Sequence, residues 1–219
     1  MTSTAGVLVS DFDGTMTRHD FYKLAVGELL PEGVPDYWAE YRAGERTHFE
    51  ALQAYFAEIR AGDDEVDALI GRMELDSQLP DALKSLRQAG WRVVVTSAGC
   101  EWYIRRLLRP LGEDIEVHAN PGQFVAGRGL LMEMNRESPY WSPTLGVDKV
   151  AVVRHYLKSG RVVAFAGDGF PDVDPARLVR DDLRFARGDL AAVLRAEGRP
   201  YHAFDTWSEI ASHLLGGRG

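Results

Sequence analysis

A single cysteine, Cys100, stands among 219 residues, so the chain can form no internal disulfide and no thiolate metal cluster. Basic residues are few: 25 Lys and Arg face 33 Asp and Glu, leaving a net charge of −8. That balance argues against nucleic acid or an anionic membrane as the main partner, because both need a basic face. No apolar run approaches membrane-spanning length, and Met1 to Thr4 lack the basic and apolar regions of a signal peptide. A reducing, cytoplasmic setting is the expectation. Internal repeats, low-complexity tracts and a P-loop glycine pattern are also missing. The 45% hydrophobic content is ordinary for a globular protein, and the length suits one large or two small domains.

What is present is organised around Asp11-Phe12-Asp13-Gly14-Thr15, which follows the apolar run Val7-Leu8-Val9. Short and β-branched, that run reads as a buried strand closed by a glycine turn. Residues at i and i+2 of an extended segment share a face, so Asp11 and Asp13 point at one spot. Two carboxylates there repel unless a cation lies between them or one is protonated. Taken alone, the stretch fits an Asp-rich turn equally well.

From about Asp20 to Met73 the chain is helical in pattern. Phe21, Leu24, Ala25, Leu29 and Leu30 suit a helix stopped by Pro31. Thr47 with Glu50 reads as a capping box ahead of Phe49, Leu52, Phe56 and Ile59, and Asp63 as the cap of a further helix. From Pro80 onward strands and helices alternate. Trp91 to Val95 and Val162 to Ala166 are near-continuous apolar strands of parallel-sheet type, and Gly127-Arg128-Gly129 is the turn of a hairpin. Lys149 opens a helix, while Leu183 to Ala186 and Tyr201 to Phe204 are shorter strands. The expected fold is α/β, a Rossmann-like three-layer parallel sheet with an inserted small all-helical unit. Residues 1–17 and 80–219 form the core, and residues 18–79 the insertion.

Ligands of such sheets sit outside the carboxyl ends of the strands, where Asp11, Asp13, Ser97 and Asp168 all fall. Asp11, Asp168 and Asp172 offer hard oxygen ligands that suit Mg²⁺ bound together with a phosphate. Ser97 and the backbone amides after it, beginning with Ala98, can donate to phosphoryl oxygens, and Lys149 supplies positive charge to the same group.

These motifs, in the order Asp11-Phe12-Asp13-Gly14-Thr15, Ser97, Lys149 and Gly167-Asp168-Gly169-Phe170-Pro171-Asp172, resemble those of the haloacid dehalogenase superfamily. The helical insertion resembles the small cap of its phosphoserine phosphatase-like subgroup. The ending Phe185-Ala186-Arg187-Gly188-Asp189-Leu190, with Tyr201 and Phe204, is similar to phosphatases of methionine salvage that act on 2-hydroxy-3-keto-5-methylthiopentenyl-1-phosphate. The resemblance implies an Mg²⁺-dependent phosphomonoester hydrolase acting on a small phosphorylated metabolite. In it Asp11 is the nucleophile and a metal ligand. Asp13 is the proton donor and binds metal through its carbonyl. Ser97 and Lys149 hold the phosphoryl group. Asp168 is a further ligand, and Asp172 orients Lys149 and metal-bound water. Asp20 falls where the serine phosphatases place a substrate-contacting glutamate.

The departures bear on the substrate. Gln53 occupies the place of the arginine that binds the phosphoserine carboxylate, and Ser138-Pro139-Tyr140-Trp141-Ser142-Pro143 replaces a cysteine cluster common in methionine-salvage relatives. Phosphoserine hydrolysis and phosphate transfer to an alcohol remain alternatives. A receiver-like signalling module is a third, which Asp13 and the helical insertion disfavour. Cys100 reads as a buried structural thiol, His19 and His48 as surface residues, and Asp181-Asp182 as a solvated loop. Trp38, Tyr37 and Tyr41 could wall the substrate or simply pack helices.

Overall fold

The computed structural model describes residues 6–112 and 115–216; the opening Met1 to Thr4 lie outside them. Strand β1 (Gly6–Ser10) is wholly buried. Its alternation decides the layers: Val7 and Val9 pack on one face of the sheet and Leu8 on the other. Four helices follow, α1 (Phe21–Glu28), α2 (Tyr37–Ala43), α3 (His48–Ala57) and α4 (Asp63–Gly71). Thr47 and Glu50 form the expected capping box on α3, whereas α4 starts from Gly62, one residue ahead of the expected Asp63. The chain enters this block at Thr17 and leaves it at Leu75, and these two residues form an antiparallel bridge.

Helix α5 (Leu79–Gln88) leads into β2 (Trp91–Cys100), α6 (Glu101–Leu108) and β3 (Glu116–Asn120). Next come the hairpin β4 (Gly122–Val125) and β5 (Gly129–Met132), and a smaller one, β6 (Trp141–Ser142) and β7 (Gly146–Val147). The remainder alternates: α7 (Lys149–Lys158), β8 (Val162–Gly167), α8 (Val173–Leu178), β9 (Arg184–Ala186), α9 (Gly188–Ala196), β10 (His202–Ala203) and α10 (Trp207–Gly216). Six strands form one parallel sheet in the order β10-β9-β8-β1-β2-β3. Buried residues of α5, α6 and α10 cover the Leu8 face, and those of α7, α8 and α9 cover the Val7 and Val9 face. This is the expected three-layer fold. Strand order reverses at β1, so a crevice opens between the carboxyl ends of β1 and β8.

Asp181 and Asp182 are exposed, as expected, but Asp181 also pairs with Arg184, which is 1% exposed. Arg184 also donates to the carbonyls of Ala176, Val179 and Pro200, because a buried guanidinium needs all its donors satisfied. The β4–β5 hairpin leans on α3, with Gly127 N donating to Ala61 O at 3.5 Å and Gln53 Nε2 to Met132 O at 2.6 Å. No helix among the described residues is long and apolar enough to cross a membrane.

Candidate active site

β1 stays in register with β8 for one residue past its end, through Asp11 N to Ala166 O at 2.9 Å. The chain then turns tightly, with Phe12 O accepting from the amides of Thr15 and Met16. Gly14 has φ +71°, and a Cβ there would lie 2.4 Å from Asp168 Oδ2; glycine lets the two acidic loops touch. Arg187, just beyond β9, pins this turn by donating to Gly14 O and Thr17 O, and ties it to Asp205 O.

Lys149 is the first residue of α7 and only 4% exposed. Its Nζ donates to Asp11 Oδ1 at 2.5 Å and to Asp172 Oδ1 at 2.7 Å. The other oxygen of Asp172 accepts from Asp168 N and Gly169 N at 3.1 and 3.0 Å. Burial opposes the charge on Lys149, yet Asp11 and Asp172 hold its ammonium above the ordinary lysine range. Burial also presses Asp11 upward, helped by Asp172 and Asp168 and resisted by Lys149. Asp168 is pushed up to about 6 by burial and then by Asp172.

Asp13 lies on the same side. Its Oδ2 accepts from Tyr103 OH at 2.8 Å and Ser97 Oγ at 3.3 Å, and its Oδ1 from Phe21 N at 3.1 Å. Burial, then the charge of Asp20, pushes Asp13 up to about 7 against the Tyr103 and Phe21 hydrogen bonds. Ser97 Oγ also accepts from Gly99 N, and Asn120 Nδ2 holds Ala98 O at 2.8 Å, so the segment after Thr96 is fixed from both sides. Asp20 lines the cavity but also N-caps α1, accepting from Tyr22 N at 2.7 Å.

All eight site positions drawn from the sequence line one cavity of about 300 Å³. Three neighbours were not drawn from it. Tyr103 carries no motif of its own, although a first-turn residue of α6, the helix that directly follows Ser97's strand, must lie at the sheet's carboxyl end. Arg187 gave no signal beyond its motif. His48, expected on the surface, instead lines the cavity. Conversely, Gln53 is turned away onto Met132 O. Of the three aromatics, Trp38 lines the cavity, Tyr37 is buried against Tyr55, and Tyr41 is exposed. Cys100 is buried as expected, and burial pushes its thiol up to about 12.

The donor set fits a hard divalent cation. Asp11, Asp168 and Asp172 bring carboxylate oxygens within 4.8 Å of one another. Thr15 Oγ1 reaches both Asp11 Oδ2 (3.1 Å) and Asp168 Oδ1 (3.3 Å) with one proton to give, so one of those oxygens goes without. Six carboxylates line the cavity against two lysines, Lys23 and Lys149, and an anionic phosphate entering there needs added positive charge. Asp172 accepts three hydrogen bonds from the protein, more than Asp11 or Asp168, which leaves those two as the side chains freer to ligate a divalent cation.

A family profile described as haloacid dehalogenase-like hydrolase matches residues 8–177, and the chain belongs to that family. It is similar to proteins named 2-hydroxy-3-keto-5-methylthiopentenyl-1-phosphate phosphatase. That of Exiguobacterium sibiricum is 23% identical over 216 residues, covering 94% of this chain and 95% of its own. That of Microcystis aeruginosa is 27% identical over 217 residues, covering 95% and 97%. Among solved structures, a phospho-aspartyl intermediate analogue of phosphoserine phosphatase superposes with a TM-score of 0.65 at 16% identity, covering 96% of this chain and 99% of that one. A substrate-bound phosphoserine phosphatase does so at 0.63 and 17%, covering 95% and 97%. These two likenesses establish the shared fold.

The packing at the end of β8 yields a steric prediction. A Cβ on Gly167 would lie 2.5 Å from Asp172 Cγ, so Gly167→Ala must displace Asp172 and, through it, Lys149. Misplacement on the scale of an ångström costs roughly 100-fold in turnover. Steady-state kinetics on p-nitrophenyl phosphate should show that loss while circular dichroism stays native; undiminished kcat would contradict it.

Proposed function

We propose that the protein is an Mg²⁺-dependent phosphomonoester hydrolase working through an aspartyl-phosphate, with residues 18–79 as a cap over the site. The observation that carries this reading is the meeting of Asp11, Asp13, Lys149 and Asp168 in one acidic, cation-demanding cavity. The carboxylate of Asp11 attacks phosphorus as the P–O bond to the leaving group breaks, and Asp13 gives the departing oxygen its proton. Asp13 then takes a proton from water as it attacks the same phosphorus, releasing phosphate and restoring Asp11. Its hydrogen bonds from Tyr103 OH and Phe21 N fix the carboxyl for both transfers, which frees the single Ser97 hydroxyl proton to turn to the phosphoryl group. Ser97 and Lys149 hold the phosphoryl oxygens, with the Ala98 backbone beside them, and Asp172 keeps Lys149 aimed. Bound by Asp11, Asp168 and the Asp13 carbonyl, Mg²⁺ would offset phosphate charge throughout.

The substrate we favour is the enol-phosphate of methionine salvage, for which the relatives at 23% and 27% identity are named. Phosphoserine is disfavoured, since no arginine among the described residues lines the cavity to clamp its carboxylate. A panel of phosphorylated metabolites, assayed for phosphate release, tests both points. Release should require Mg²⁺, stop in chelator, and be greater for the enol-phosphate than for phosphoserine. Full activity in excess chelator, or phosphoserine as the best compound, would contradict the proposal.

Asp13 has a sharper test. Alkyl phosphates expel a strongly basic alkoxide, whereas p-nitrophenyl phosphate expels a stabilised phenolate that needs little protonation. General acid catalysis contributes about 10²–10⁴-fold, so Asp13→Ala should lower kcat/KM by that factor for an alkyl phosphate and far less for the aryl one. Equal losses, with metal affinity intact, would remove Asp13 as the proton donor.

A further inference from the structure

The cap side of the cavity holds a polar group that the chemistry above does not use. His48 is the first residue of α3, directly after the Thr47 capping position. Its ring packs against Trp38 (centroids 5.0 Å apart) and Tyr41 (5.8 Å), and its Nδ1 is buried with no hydrogen-bond partner. With Nδ1 sealed, Nε2 is the ring nitrogen left to meet a ligand in the cavity that His48 lines. Burial, then the positive charge of Lys149, pushes the imidazole down to about 4, so it is uncharged at neutral pH and can present Nε2 as a donor or an acceptor.

The surroundings limit what it can meet. Trp38, Leu52 and Phe56 give the same wall an apolar surface. Gln53 is committed to Met132 O, and Arg46 to Glu40 and the face of Tyr37. Lys23, at the cavity edge, stands near Asp20, whose carboxyl burial pushes up against the opposing pull of Lys23. Among the described cap residues that line the cavity, Lys23 is the one cation, and the Asp20 carboxylate near it offsets its charge. We propose that His48 Nε2 hydrogen-bonds an uncharged hydroxyl or carbonyl oxygen of the leaving group while Trp38, Leu52 and Phe56 enclose its apolar part, so that the enzyme selects phosphate esters of neutral, oxygenated, partly apolar alcohols. This rests on the phosphatase reading and specifies its leaving-group subsite.

The test compares 2-hydroxypentyl phosphate with pentyl phosphate in the wild-type protein, His48→Phe and His48→Gln, with Mg²⁺ present. Losing one neutral hydrogen bond costs about tenfold in affinity. The wild type should therefore favour the hydroxylated ester in kcat/KM by about tenfold, mostly through KM. His48→Phe, which keeps an aromatic ring against Trp38, should erase that preference, and His48→Gln, which keeps a donor and an acceptor, should restore part of it. Equal kcat/KM for the two esters in the wild type would overturn the inference without recourse to any variant. So would a preference that survives His48→Phe. If the wild type hydrolyses neither these esters nor p-nitrophenyl phosphate, the phosphatase reading fails and takes this inference with it.

Discussion

One buried ammonium organises the site. Lys149 lies between Asp11 and Asp172 at 2.5 and 2.7 Å, and all three side chains are almost wholly withdrawn from water. Charges so placed are tolerable only when paired and fully hydrogen-bonded. The arrangement meets that condition by drawing in backbone: Asp172 takes the amides of Asp168 and Gly169 on its free oxygen. Three segments far apart in sequence, the end of β1, the start of α7 and the turn after β8, are thereby forced to one point. Asp168 is carried there with them, and Gly14 and Gly167 are the places where a side chain would prevent the approach.

That constraint also sets the electrostatics. Burial first, and then the crowding of carboxylates around one cavity, raises the cost of ionising Asp11, Asp13 and Asp168, and Lys149 offsets only part of it at Asp11 and Asp168. Burial, and then the charge of Asp20, pushes Asp13 toward holding a proton near neutrality in the same cavity that invites a divalent cation at Asp11 and Asp168. Neighbouring carboxylates, two residues apart on one strand end, thus have different partners: Lys149 for Asp11, and Tyr103 OH with Phe21 N for Asp13.

The core strands and their terminal acidic motifs were legible because each signal is local. Val7-Leu8-Val9, Trp91 to Val95 and Val162 to Ala166 are apolar on both faces, and a small polar residue beside glycine closes each one. The cap side was harder to read, since which side chain faces the cavity depends on how α2, α3 and the β4–β5 hairpin pack. The hairpin's Met132 carbonyl captures Gln53, and Trp38 on α2 shelters His48; neither fact has a counterpart in spacing or composition. Arg184 was missed for a related reason. A buried arginine in a three-residue strand looks like a surface charge until the carbonyls of Ala176, Val179 and Pro200 are seen around it.

The central claim is that Asp11 is covalently phosphorylated during turnover. Mixing the Mg²⁺-loaded enzyme with radiolabelled phosphate ester, quenching in acid within the first turnover and analysing the protein addresses it directly. The account predicts acid-stable, hydroxylamine-labile label on the peptide containing Asp11, chased away by unlabelled substrate and missing from Asp11→Asn. Label on another residue, or rapid turnover in Asp11→Asn free of deamidation, would contradict it.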